Sequence, residues 1–180
     1  MDIKDRFEKI NQDYKDYYKE SFLRKGMLPM KNTELGIWGY SLGEEVFELF
    51  NKIGLDRKKS FLDLGSGDGV VVNIASLFTK AEGIEIDAEL VGVSNDIKKK
   101  HKLSNASFLQ KDFMKHDISK YDLLFIYPDK RLNEVEEKLA KEMKGYLLFA
   151  GYHFHPTNLK KVKSFTVNGN LFTVYGNKIK

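Results

Sequence analysis

Between Asp2 and Arg24, apolar and aromatic side chains return at positions 3, 7, 10, 14, 17, 18 and 22 with charged residues between them. That period predicts an amphipathic helix. The stretch from Gly26 to Gly39 has no period and is expected to be irregular. Ser41 followed three residues later by Glu44 has the spacing of a capping box, which predicts a helix from there to about Ile53. After Gly54 the rhythm changes. Short apolar runs at 60–64, 81–86, 106–110, 122–127 and 146–150 alternate with helical patterns at 70–79, 88–101 and 131–143. Strands separated by helices predict parallel pairing through crossovers, and an unbroken run such as Leu123 to Tyr127 fits a strand buried on both faces. The chain then departs from its own alternation. Residues 162–167, the turn Asn168-Gly169-Asn170 and residues 171–175 predict an antiparallel hairpin, with Gly169 supplying the positive φ of its turn. The expected fold is α/β, a mostly parallel sheet closed by a C-terminal antiparallel hairpin and preceded by an N-terminal helical extension.

Composition narrows the class. The 180 residues, 42% hydrophobic and 31% charged, suit one domain with a core of its own and exclude a disordered or collagen-like chain. No repeat or linker divides them, so residues 1–40 are expected to form the extension and 41–180 the body of a single domain. The chain has no cysteine, which removes disulfides, thiolate zinc sites and cysteine nucleophiles. No apolar run approaches the roughly 18 to 20 residues of a membrane span, and the N-terminus lacks the apolar core of a secretion signal. A cytoplasmic protein without a membrane partner is expected. The formal charge of +4 is unevenly spread: from Lys138 to Lys180 eight lysines face Glu142 alone, a net of +7, which leaves −3 on the rest. Such a basic region suits RNA or an acidic partner, and equally a solvated face.

The chemistry is concentrated in Phe61-Leu62-Asp63-Leu64-Gly65-Ser66-Gly67-Asp68-Gly69, a strand running into three glycines at alternate positions and then a helix. Glycines there let backbone approach a ligand at the C-terminal end of the first parallel strand, where open α/β sheets bind ligands. Dinucleotide folds use G-x-G-x-x-G. Here the third glycine comes one residue early, and Asp63 and Asp68 would repel a pyrophosphate while suiting an ammonium or sulfonium. Twenty residues after Gly65 the next strand ends Glu85-Ile86-Asp87. Glu85 is placed to accept from both hydroxyls of a ribose, each charge-assisted bond contributing about 1.5 to 3 kcal/mol. After the third strand, Asp112 can accept from an adenine amino group while Phe113 or a neighbouring apolar side chain covers the base. An adenosine-shaped site results, and an NAD-linked dehydrogenase is the poorest fit.

The segments FLDLGSGDG, GIEID and KDF, in this order and spacing, resemble the cofactor motifs of class I S-adenosylmethionine-dependent methyltransferases over about residues 41–175. The resemblance implies a Rossmann-like, seven-stranded sheet and S-adenosyl-L-methionine as cofactor. It implies that Asp63, Gly65, Ser66 and Gly67 contact the methionine part, Glu85 the ribose, and Ile86, Asp112 and Phe113 the adenine region. Tyr40 and Ser41 occupy the place where family members often add contacts to the amino acid end.

Acceptor identity should lie at the ends of the fourth and fifth strands. Tyr127-Pro128-Asp129 stands where amino-methylating members often carry N/D-P-P-Y/F, and the tyrosine in the leading place argues against the usual base-amine or amide reaction. Asp129 either orients an amine or faces solvent in a proline-assisted turn. Strand alternation continued past Gly151 would place His153 and His155 on one face and Tyr152 and Phe154 on the other. No metal is expected there. Tyr127, Tyr152 and His153 are the candidate catalytic residues: the rings attract a cationic amine, and the imidazole takes a proton. The short link from Gly151 to Val162 and the lack of a large insertion predict an open site, which suits a macromolecular acceptor. In these respects the chain is similar to compact archaeal protein-lysine methyltransferases. Protein lysine is the favoured acceptor, with an RNA methyltransferase or a non-catalytic S-adenosylmethionine-binding partner subunit as alternatives.

Overall fold

A computed structural model of the chain describes residues 2–26, 29–34, 36–131 and 133–177. Helix α1 (Ile3–Lys25) is capped by the Asp2 carboxylate at its start and by left-handed Gly26 at its end. Its apolar stripe, Phe7, Ile10 and Tyr14, is buried in the main core, so the N-terminal extension shares one core with the rest. Where the sequence predicts irregular chain, two three-residue strands, β1 (Met30–Asn32) and β2 (Ile37–Gly39), pair as an antiparallel hairpin.

Helix α2 (Gly43–Ile53) begins after Leu42 and has no side-chain cap, which corrects the expected capping box at Ser41. The reason is a close helix crossing. Gly43 lies against the Asn11 side chain of α1, with no space for a Cβ, and Glu44 turns to pair with Lys15 of α1 rather than back to the helix start.

The parallel strands are β3 (Ser60–Leu64), β4 (Lys80–Glu85), β5 (Ala106–Gln110), β6 (Leu123–Ile126) and β7 (Tyr146–Ala150). With β8 (Lys160–Val167) and β9 (Asn170–Gly176) they make a seven-stranded sheet in the order β5-β4-β3-β6-β7-β9-β8, in which β9 runs antiparallel to both β7 and β8. Intervening helices are α3 (Val70–Ala75), α4 (Ala88–Lys100) and α5 (Asn133–Glu142). Strand alternation divides the core in two: Phe61, Phe125 and Leu148 pack toward α1, α2 and α3, while Leu62, Leu124, Leu147 and Phe149 pack toward Leu139 of α5. The hairpin loop is the two residues Asn168 (φ 48°) and Gly169 (φ 85°), a I′-type turn.

The chain reverses direction across the sheet between β3, which leads outward to β4 and β5, and β6, which leads to β7. A crevice therefore opens at the C-terminal ends of β3 and β6, the position where this topology binds ligands.

Candidate functional site

A cavity of about 450 Å³ fills that crevice. Its floor is the glycine loop. Gly65 (φ 83°) faces open space and needs the left-handed conformation that glycine tolerates. Gly67 (φ 54°) lies directly beneath the Trp38 indole, where any Cβ would collide with the ring. Both Gly65 N–H and Ser66 N–H donate to the Ile84 carbonyl at 2.9 Å, which fixes the loop to β4.

Three carboxylates converge here. Glu85, 6% exposed, accepts from the backbone N–H groups of Gly67 (2.9 Å), Ile86 (2.7 Å) and Asp87 (2.9 Å). Those bonds lock its carboxylate at the cavity wall and leave acceptor capacity on it. Asp68 accepts from the Tyr18 hydroxyl at 2.7 Å and from Val70 N–H, while its backbone carbonyl accepts from the Tyr14 hydroxyl at 3.0 Å. Burial pushes the Asp68 carboxyl up to about 6, against the opposing pull of the Tyr18 and backbone hydrogen bonds. The Asp63 carboxyl, on a residue 3% exposed, has no side-chain hydrogen bond among the described residues; burial, reinforced by the Glu85 and Asp68 charges, holds it well above the usual carboxylate range. Among the described residues none of the three has a salt bridge. Buried carboxylates with no ion pair among the described residues suit a cationic ligand, while Lys111, Lys130 and Arg131 stand elsewhere on the cavity lining.

The β1–β2 hairpin roofs this wall, which corrects the expectation of an uncovered site. It is tied down on both sides of the crevice. Lys31 pairs with Asp87 at 2.8 Å and with Glu89 at 2.6 Å, while Ile37 N–H donates to Asp129 at 2.6 Å. Asp129, exposed in its turn and lining the cavity, thus also holds the roof. Trp38, seated on Gly67, lines the cavity together with Thr33, Ile37, Tyr40 and Ser41.

Of the residues expected to hold the cofactor, Tyr40, Ser41, Asp63, Gly65, Ser66, Glu85, Ile86 and Phe113 line the cavity. Gly67 does not line it; its N–H orients Glu85 instead. Asp112 is also set back, its carboxylate capping the short turn Phe113–Lys115 through Met114 N–H at 2.8 Å. Of the expected acceptor residues only Tyr127 reaches the cavity, its ring leaning on Gly151. Tyr152 and His153 do not, because the chain stops being a strand at Gly151 (φ 105°) and turns again at Phe154 (φ 61°), so the alternation fails. The Tyr152 hydroxyl instead donates to the Gly169 carbonyl at 2.6 Å, and His153 is exposed beside Phe154. His155 turns inward, stacked on Phe149 and bonded to the Tyr175 hydroxyl at 2.8 Å.

No group of three or more metal-ligating side chains occurs among the described residues. Of the basic stretch, Lys160, Lys161 and Lys163 are exposed on the edge strand β8, and Lys178 and Lys180 lie outside the described residues. None of the described helices is long and apolar enough to cross a membrane.

Residues 63–163 match the ANTKMT methyltransferase domain, more than half of the chain. Among solved structures, an RNA methyltransferase from Salinibacter ruber in complex with S-adenosyl-L-homocysteine superposes with a TM-score of 0.66 at 20% identity, covering 78% of this chain and 95% of that one. Magnesium protoporphyrin IX methyltransferase (ChlM) from Synechocystis PCC 6803, with bound SAM, gives a TM-score of 0.60 at 13% identity, covering 76% and 78%. No curated protein sequence matches the chain.

Proposed function

The chain belongs to the ANTKMT methyltransferase domain family, and from that membership and the site we propose that it transfers the methyl group of S-adenosylmethionine to the side-chain amine of a protein lysine. The observation that carries the reading is the wall of three buried carboxylates, Asp63, Asp68 and Glu85, gathered at the end of β3 and β4 with no salt bridge among the described residues. S-adenosylmethionine carries an ammonium, a ribose and a sulfonium whose methyl group is electrophilic.

Asp63 and Asp68 would hold the positive end, with Gly65 allowing close backbone approach. Glu85, fixed by its three donors, would accept from a ribose hydroxyl through the remaining lone pair of Oε2. Ile86 and Phe113 line the same cavity and supply apolar cover for the base. Trp38 and the hairpin exclude water from above, which strengthens each of these charge interactions. Catalysis then rests chiefly on alignment, with reacting atoms held about 3 to 3.5 Å apart. Tyr127, 56% exposed at the edge of the cavity, is reachable from solvent and offers its ring to an incoming amine. That placement supports an acceptor presented by a macromolecule. In this reading residues 1–40 are the N-terminal extension, whose hairpin is the roof, and 41–180 the catalytic body of one cytoplasmic enzyme. The exposed lysines of β8 support RNA as the competing acceptor.

The test incubates the full chain with methyl-labelled S-adenosylmethionine and cell extract. Label that survives ribonuclease, is lost with protease and hydrolyses to methyl-lysine supports the proposal. Ribonuclease-sensitive label moves the acceptor to RNA. Cofactor binding without label in any fraction assigns the chain to a non-catalytic partner role.

A further inference from the structure

Behind the cofactor cavity lies a second one, of about 240 Å³, between α2, β6 and β9. The two share four wall residues: Tyr40, Ser41, Phe125 and Tyr127. At the second cavity stands Glu45, a carboxylate on α2 that is 7% exposed. Its Oε2 accepts from the Asn170 side-chain amide, and no described lysine, arginine or histidine pairs with it. The packing of α2 does not explain an acid there, since its neighbours on the buried face, Val46, Leu49 and Phe50, are apolar. A buried, half-satisfied carboxylate beside a cavity rimmed by Tyr40, Tyr127, Phe125 and Phe172 is complementary to a slender cation: the rings attract it by their quadrupoles and the carboxylate pairs with it.

We propose that this second cavity is the acceptor port, that it admits a protonated primary alkylamine such as a lysine side chain, and that Glu45 pairs with the ammonium and takes its proton. The inference rests on the amine-methylating reading above and adds the residue that selects the amine. In that step one N–H bond of the ammonium breaks with its electron pair left on nitrogen, and an O–H bond forms on Glu45. The product is a neutral amine beside the wall shared with the cofactor cavity. Burial supports the transfer, since it raises the affinity of Glu45 for a proton, with Glu48 on the same helix pushing the same way and Asn170 opposing. The other titratable groups lining the port are the phenols of Tyr40 and Tyr127. Burial, and after it Glu45, raise the Tyr127 phenol further above physiological pH, and that ring is neutral.

The closing experiment uses the full chain with labelled S-adenosylmethionine, the peptide acetyl-Gly-Lys-Gly-amide as acceptor, and n-butylammonium and n-butanol as competitors. Glu45→Gln keeps an oxygen for Asn170, and a melting temperature no lower than that of the wild type, with unchanged cofactor affinity, verifies that it folds. The expected result is a KM for the peptide at least tenfold higher. The inhibition constant for n-butylammonium should rise by a similar factor while that for n-butanol stays within twofold. Glu45→Asp, which retains the charge, should recover most of the KM. Equal KM and equal n-butylammonium inhibition in wild type and Glu45→Gln would overturn the port while leaving lysine methylation standing. A loss confined to kcat, with KM and n-butylammonium inhibition unchanged, would also overturn it, since Glu45 would then have no part in binding the ammonium. If the wild type labels no lysine in peptide or extract, the underlying reading fails and the port with it.

Discussion

Asp68→Asn should make the ligand-free protein more stable at neutral pH while impairing its binding of cofactor. The Asp68 side chain is 1% exposed, and its carboxyl is raised from 3.8 to about 6, mainly by burial. A displacement of that size corresponds to a cost of about 3 kcal/mol for keeping the group ionised in the fold. The amide avoids that cost without losing the local bonds. Its oxygen can accept from Val70 N–H, and its NH₂ can donate to the Tyr18 oxygen once that hydroxyl rotates. Because the native pKa lies above the unfolded one, the native state binds more protons than the unfolded chain between pH 3.8 and about 6. The contribution of Asp68 to stability therefore falls as pH rises through that window, and the penalty is fully present above it.

The assay is thermal unfolding of both proteins, ligand-free, at several values from pH 4 to 7.5. For a chain of this length about 3 kcal/mol raises Tm by roughly 6 to 12 °C. That gain should appear at pH 7.5 and shrink toward zero near pH 4. Paired carboxylates held below their usual range, Asp13 and Asp87, lose stability with acid in both proteins alike. The difference between the two curves, rather than either curve, carries the result. Titration calorimetry of S-adenosylmethionine at pH 7.5 should then show affinity lower by at least tenfold, about 1.4 kcal/mol, in the stabilised variant. An Asp68→Asn protein no more stable than wild type at pH 7.5, or one whose advantage does not shrink with acid, would refute the claim that an ionised carboxylate is held there at a cost to the fold.

Glu85→Ala should weaken S-adenosylmethionine binding by about 1.5 to 3 kcal/mol. It should also lower Tm, because the N–H groups of Gly67, Ile86 and Asp87 lose their acceptor; a variant with unchanged affinity would remove Glu85 from the ribose. Trp38→Ala should leave α1 and the sheet folded but speed cofactor release several-fold in stopped-flow fluorescence or label-chase measurements, and an unchanged release rate would mean that the hairpin is no roof. Tyr127→Ala should lower methyl transfer at least tenfold, about 1.4 kcal/mol in the barrier, with cofactor affinity within twofold. His153→Ala should keep the wild-type rate, since His153 lies outside both cavities; a large loss there would return it to the acceptor site.

The strands and the hairpin were legible because their signal is local. Leu123 to Ile126 is apolar at every position, which buried parallel strands require, and Asn168-Gly169 supplies the two positive φ angles of its turn. The residues that reach the cofactor cavity from β3 and β4 were legible for a related reason: a strand end fixes where the next few residues can go. That logic failed at Gly151, where a left-handed residue ended the alternation that would have placed Tyr152 and His153 at the site. A glycine after five apolar positions is a signal for such a break, and it stands at residue 151.

The roof and the port were hidden for a different reason. β1 and β2 are three residues each, too short for any period, and their pairing is stabilised by partners 56 and 92 positions away, Lys31 with Asp87 and Ile37 with Asp129. Nothing in the sequence marks Glu45, since a glutamate beside Glu44 in a first turn is ordinary helix chemistry. Its buried place becomes visible only in the fold, where the Asn170 side chain, 125 positions away, donates to it. The distinction matters for mechanism. A protonated amine and a sulfonium are both cations, and at 4 Å they repel by about 4 kcal/mol at an effective dielectric near 20. Asp63 and Asp68 can compensate the charge of the cofactor, but they cannot also make the acceptor a nucleophile. A second carboxylate site, separated from the first by the rings of Tyr40 and Tyr127, allows the amine to arrive as a cation and cross that wall as a neutral base.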